Sequence, residues 1–288
     1  MPPAAGDRAQ PLYLDLDGAR RFCLHHPAHG GAPRARVLYL HPLAEEMNRS
    51  RRMASLQARA LAAAGCEVLQ IDLLGCGDSP GDFRDATWDA WRDDALRASR
   101  WLRGRAGNAP LWLWGLRAGA LLAVEAARAL EEPDPCNLLL WQPPASGRAV
   151  LQQFLRLRLA QALAGGDAAA LMKSLRAQLE AGQAVQAAGY ELSSALARGL
   201  EAAQLTPPPA RAGHLAWLEV GGTEPGEPAP GAQPTLAAWR AAGWRVDAHR
   251  LPGPAFWATA ETETAPALLQ ATQALLAATA VVREGAAA

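Results

Sequence analysis

Gly115-Leu116-Arg117-Ala118-Gly119 follows the strand-like run Trp112-Leu113-Trp114 and opens an apolar run from Ala118 to Val124. Two glycines flanking a central residue at this spacing make a sharp strand-to-helix turn that lifts the central side chain into a pocket, where a serine would be a nucleophile. Here the central residue is arginine. A guanidinium stays protonated at physiological pH and carries five donors, so Arg117 cannot attack a carbonyl or accept a proton, but it can bind a carboxylate or phosphate. A cation pushed into a pocket is costly unless paired, which predicts a carboxylate partner, Glu45 or Glu46.

Three further loops bear on the same chemistry. His41-Pro42-Leu43-Ala44-Glu45-Glu46-Met47-Asn48 follows a buried strand, at the place where an oxyanion donor belongs. The Leu43 and Ala118 N–H groups could fill that role, with His41 and Asn48 as further binding candidates. Glu45 and Glu46 could handle a proton; helix-dipole balance explains two acids at a helix start equally well. Asp72-Leu73-Leu74-Gly75-Cys76-Gly77-Asp78-Ser79 matches a D-x-x-G-x-G-x-S turn, and Cys76 or Ser79 would need an adjacent base that the sequence does not supply. After the last strand, Leu251-Pro252-Gly253-Pro254-Ala255-Phe256-Trp257 carries Phe256 where a triad histidine is expected, with Trp257 beside it as a binding candidate. His249 lies on the strand and reads as structural. Glu224, in Gly221-Gly222-Thr223-Glu224, keeps an acid in a plausible place, yet an acid without its histidine orients nothing.

Positioning these loops requires a sheet. Residues 12–16 and 21–25 read as two strands joined through Asp17-Gly18, forming an antiparallel edge. Strands at 36–40 and 67–72 flank a helix at 50–64, a helix follows at 87–103, and strands at 111–114 and 137–141 flank a helix at 118–130. Strands at 214–220 and 244–251, each followed by a helix, complete the pattern. The class is α/β: an α/β-hydrolase fold with a mostly parallel eight-stranded sheet flanked by helices. Between 146 and 205 the strands stop and Leu/Ala-rich segments appear, with Leu151, Phe154, Leu155, Leu159 and Ala162 at helical spacing. This predicts a core of residues 1–145 and 206–288 carrying a helical cap insertion at 146–205, ended by Pro207-Pro208-Pro209. A membrane-surface helix is the competing reading of the first segment, but it lacks a basic polar face.

Composition narrows the function. The 288 residues are half hydrophobic and carry zero formal net charge, so no long-range field draws the chain to nucleic acid or an anionic membrane. Partners are expected to be small molecules or proteins. The start of the chain shows no basic region followed by an apolar run, and no stretch approaches ~20 apolar residues, predicting no membrane span and a cytoplasmic protein. Cys23, Cys66, Cys76 and Cys136 are scattered and the histidines unclustered, so no metal or other cofactor is expected and the thiols read as buried and free. Trp88, Trp91, Trp101, Trp239 and Trp244 read as core rather than sugar platforms.

The runs His41 to Met53, Leu69 to Ser79, Trp114 to Gly119, Trp141-Gln142-Pro143 and Phe256-Trp257 resemble the signature segments of the exosortase A system-associated hydrolases, type 2, from about residue 12 to the last helix. The resemblance implies a cytoplasmic accessory to PEP-CTERM protein sorting or exopolysaccharide production in a Gram-negative bacterium, with an exosortase-locus protein as a possible partner. It also implies that the arginine elbow is a group trait. Two functions follow. One is an enzyme rebuilt around Arg117, Glu45 and Glu46 that hydrolyses or holds an acyl or anionic substrate; the other is a catalytically inactive pseudo-hydrolase that binds a ligand or scaffolds a partner.

Overall fold

The computed structural model describes residues 9–105, 107–130, 136–162, 167–209 and 213–286; the Pro-rich start lies outside them. In chain order come β1 (Gln10–Leu16), β2 (Ala19–His26), β3 (Ala35–Leu40), α1 (Glu45–Ala63), β4 (Cys66–Ile71), α2 (Trp88–Arg103), β5 (Leu111–Leu116), α3 (Ala118–Ala129) and β6 (Cys136–Trp141). Then follow α4 (Gly147–Ala162), α5 (Ala168–Glu180), β7 (Val185–Ala187), β8 (Tyr190–Leu192), α6 (Ser194–Ala202), β9 (His214–Val220), α7 (Gln233–Ala241), β10 (Arg245–Leu251) and α8 (Pro266–Ala286).

Eight strands form one sheet in the order β1-β2-β4-β3-β5-β6-β9-β10. β2 pairs antiparallel with both β1 and β4, and the remaining neighbours are parallel, as the alternating strand-helix pattern predicts. All six residues of β3, β5 and β6 are buried, because helices cover both faces. Successive side chains therefore enter opposite layers: Leu111 and Leu113 join the core beneath α2 and α3, whereas Trp112 and Trp114 join the one beneath α1 and α8. A buried Arg21–Asp94 ion pair at 2.7 Å fastens β2 to α2.

Two local expectations are corrected. Helix α1 begins at Glu45 rather than at residue 50, because Ala44, at φ 53°, turns the chain directly from the β3 loop into the helix. The two acids thus lie in its first turn. Strands also do not stop between 146 and 205: β7 and β8 form an antiparallel hairpin through Ala188 and Gly189, both at positive φ. Such a turn favours Asn-Gly or Asp-Gly, and alanine at its first position hides it. α4 and α6 approach so closely that a Cβ on Gly147 would collide with the Leu200 carbonyl. Arg148 and Arg176 both pair with Glu201, joining α4 and α5 to α6.

The four cysteines are buried and free. Trp88, Trp91, Trp239 and Trp244 are buried, while Trp101 is half-buried with Arg105 over its ring. No described helix is long and apolar enough to cross a membrane.

Candidate functional site

The β5–α3 turn keeps the geometry of a nucleophile elbow. Arg117 sits at φ 55° and ψ −117°, a conformation that costs a non-glycine residue roughly 1–3 kcal/mol and persists only where surrounding structure enforces it. The flanking glycines enforce it. A Cβ on Gly115 would collide with the backbone of Gly119 and Ala120, and one on Gly119 with the carbonyls of Leu40 and His41. β5, α3 and the end of β3 therefore interlock through backbone alone, and the Arg117 N–H donates to the Trp141 carbonyl at 3.0 Å.

The Arg117 side chain reaches toward α1 and α4. Its Nη2 lies 3.4 Å from Glu46 Oε1 and donates to Gln153 Oε1 at 2.5 Å, and its guanidinium carbon stands 5.7 Å from the Trp257 ring centroid, within cation–π range. Arg117 Nε and Glu46 Oε2 are both buried without a hydrogen-bond partner among the described residues. Burial pushes the Glu46 carboxyl above the usual carboxylate range, and the Arg117 guanidinium pulls it part of the way back. The carboxylate partner predicted for Arg117 is thus Glu46. Glu45 has other partners, accepting from Tyr190 Oη and Asn48 Nδ2 at 3.1 Å each, with Arg49 at 3.8 Å. Burial, with Glu45 beside it, pushes the Tyr190 phenol up to about 12, so it remains a donor to that carboxylate.

A cavity of about 180 Å³ opens between α1, α4, the β7–β8 hairpin and the loop after β10. Leu43, Phe154, Leu157 and Trp257 supply apolar walls, and Glu45, Glu46, Arg49 and Gln153 bring polar groups to it. Of the residues proposed from sequence, Leu43, Glu45, Glu46 and Trp257 meet on this cavity. Arg117 lies behind the wall, bonded to two of its residues. Ala118 is buried at the first position of α3, where its N–H has no intrahelical acceptor. Asn48 lines an adjoining cleft with Cys76, Phe83 and Tyr190.

His41 and Glu224 are not brought there. His41 Nε2 accepts from the Leu73 N–H at 3.3 Å, so Nδ1 carries the proton and donates to the Pro42 carbonyl at 2.8 Å. Burial lowers its pKa, and this neutral ring ties the β3 loop to the β4 loop. Glu224 is exposed after β9, and His249 is exposed on β10. Phe256 is fully buried, with Trp141 and Trp257 edge-on at 6.2 and 5.1 Å. The His25–Glu67 and His214–Asp247 pairs sit at the amino ends of β4 and β9, across the sheet from the elbow. Burial raises the Cys76 thiol to about 12, and Ser79 Oγ donates to the Asp72 carbonyl while accepting from the Phe22 N–H. No described residue supplies an activated nucleophile and base at the elbow. Gln153, Phe154 and Leu157 join the cavity because α4, packed on α6, α5 and α3, faces α1 across it, a placement that no local sequence signal marks as a site.

The model of a protein family described as serine aminopeptidase, S33, matches residues 31–193, more than half of the chain. Human Protein ABHD12B is 33% identical over 109 residues, covering 38% of this chain and 29% of that relative. Lysophosphatidylserine lipase ABHD12 from Xenopus tropicalis is 30% identical over 109 residues, covering 37% and 27%. The chain thus spans less than a third of the length of these curated relatives. XC6422 from Xanthomonas campestris, described as an α/β serine hydrolase without lid, superposes with a TM-score of 0.55 at 18% identity, covering 96% of this chain and 94% of that one. That likeness extends to the whole fold.

Proposed function

Because the chain belongs to the serine aminopeptidase S33 family of the α/β-hydrolase superfamily, yet carries arginine at the elbow, we propose that it binds a small acyl ligand with an anionic end over that elbow and does not cleave it. One observation carries this reading: the strained elbow holds a guanidinium bonded to Glu46 and Gln153, both of which line a largely apolar cavity. Arg117 is the anion-binding residue. The Leu43 and Ala118 amides supply neutral donors, and Trp257 and the α4 side chains hold the acyl part. In this reading residues 146–205 form a cap insertion, with α4 as one wall of the binding cavity. The resemblance to exosortase A system-associated hydrolases supports a cytoplasmic role beside PEP-CTERM sorting or exopolysaccharide production, where an exosortase-locus partner would receive or deliver the ligand.

A rebuilt hydrolase is the second reading. It draws on Glu46 Oε2, which is unpartnered on a residue lining the cavity and belongs to a carboxyl raised toward the range of a general base. Glu45, held by Tyr190 and Asn48, is the weaker candidate for that role.

Melting the protein with and without hexanoate at pH 6 tests the binding reading. Saturating ligand is expected to raise the wild-type Tm by mass action and to leave Arg117→Ala unmoved. The variant itself is expected to melt close to wild type, since Glu46 can take a proton rather than remain a buried unpaired charge. An equal rise in both proteins would remove Arg117 from ligand binding.

A further inference from the structure

Resting on the binding reading, we infer that the cavity takes a short aliphatic monocarboxylate together with one proton, the ligand carboxylate replacing that of Glu46 on Arg117 while Glu46 becomes protonated.

The present pair is incomplete. Arginine presents a planar fork suited to two parallel bonds with a carboxylate. Glu46 meets it through one oxygen at 3.4 Å, leaving Arg117 Nε and Glu46 Oε2 buried and unpartnered. A free carboxylate, unconstrained by a helix backbone, could engage the fork in a way Glu46 does not. The exchange asks only for side-chain rotation, because Gln153, the other residue on Arg117 Nη2, is exposed on α4.

Exchange dictates the proton. Two carboxylates beside one guanidinium in a largely apolar cavity cannot both remain ionised at low cost. Glu46 is the one to take the proton, because burial already disfavours its charged form and departure from Arg117 removes what held it ionised. The ligand enters as an anion, a solvent proton moves to Glu46, and the net charge of the site is unchanged. The charged groups acting on Glu46 are Arg117 at the start of α3 and Arg49 on its own helix, and Glu45 of that helix lines the same cavity while bonded to Tyr190. Gln153 faces it from α4, and the α4 apolar side chains, Ala188 of the hairpin, and Trp257 and Ala258 bring no titratable group.

Size sets the ligand class. An apolar cavity of about 150 Å³ holds benzene, so about 180 Å³ accommodates roughly six to eight non-hydrogen atoms. Hexanoate fits that range, with its chain toward Phe154, Leu157 and Trp257.

Calorimetric titration of hexanoate between pH 6 and 8, in two buffers of different ionisation enthalpy, tests this. The expected result is uptake of close to one proton and an affinity falling about tenfold per pH unit wherever Glu46 is ionised in the free protein and protonated in the complex. Hexan-1-ol should bind without pH dependence. Glu46→Gln should bind hexanoate more tightly, with a flat pH profile and no proton uptake. Hexanoate binding to the wild type with no proton uptake and no pH dependence would overturn the exchange while leaving the binding reading intact. No hexanoate binding at any pH would overturn both.

Discussion

Gly119→Ala is expected to lower the melting temperature by roughly 6–12 °C or to prevent folding, on the basis of at least about 3 kcal/mol of overpacking in a domain of this size. The added methyl would run into the carbonyls of Leu40 and His41, both backbone atoms at the end of a central strand, so no side chain can yield. Gly221→Ala is the control. Its Cβ would meet nothing within 4 Å, so the variant is expected to melt within about 0.5 kcal/mol of wild type. Parallel thermal melts read the difference, and equal melting of the two variants would mean that backbone interlock does not hold the elbow. The result matters for function, because the interlock fixes Arg117 in its strained conformation whatever chemistry its side chain performs.

Installing serine and histidine together, as Arg117→Ser with Phe256→His, is expected to give no ester hydrolysis above background and to cost roughly 3 kcal/mol of stability. Phe256 is fully buried with two tryptophans edge-on to it, so an imidazole there loses aromatic packing and buries polar nitrogens. At this loop Trp257, not Phe256, lines the cavity, so the imidazole is expected to stay in the core rather than reach a bound ester. Arg117→Ser alone fares no better, since no described imidazole lies beside the hydroxyl to activate it. Robust turnover of p-nitrophenyl butyrate by the double variant would show that the Phe256 position still addresses the elbow.

Much of this was legible in the sequence because the signals were local. Glycine spacing at 115 and 119 with a strand before and a helix after marks an elbow, and the alternation of buried strands and helices marks a mostly parallel sheet. Arginine at the centre of the elbow and the lack of a histidine in residues 251–257 are read directly from the sequence. Which acid meets Arg117 was not legible. Neighbouring helix positions differ by about 100° in direction, so the choice between Glu45 and Glu46 depends on where α1 begins. That start is set by the positive φ of Ala44, an unusual conformation for alanine with no sequence signature. Glu46 consequently faces the elbow and Glu45 faces Tyr190. The hairpin went unread because alanine occupies a turn position that favours asparagine. His41 looked like a site residue by position, yet both its ring nitrogens are spent on backbone groups, Nδ1 on Pro42 of its own loop and Nε2 on Leu73 of the β4 loop. Gln153 could not be found at all, since its role arises only when the tertiary fold brings α4 up to Arg117.

Ester turnover separates binding from catalysis, because a binding protein and a rebuilt hydrolase with this same cavity differ in what becomes of a bound ester. Short acyl esters, thioesters and phosphoesters incubated with wild type and with Glu46→Gln should disappear no faster than in buffer alone. Wild-type turnover abolished by Glu46→Gln would overturn binding without cleavage and make Glu46 the general base of an enzyme.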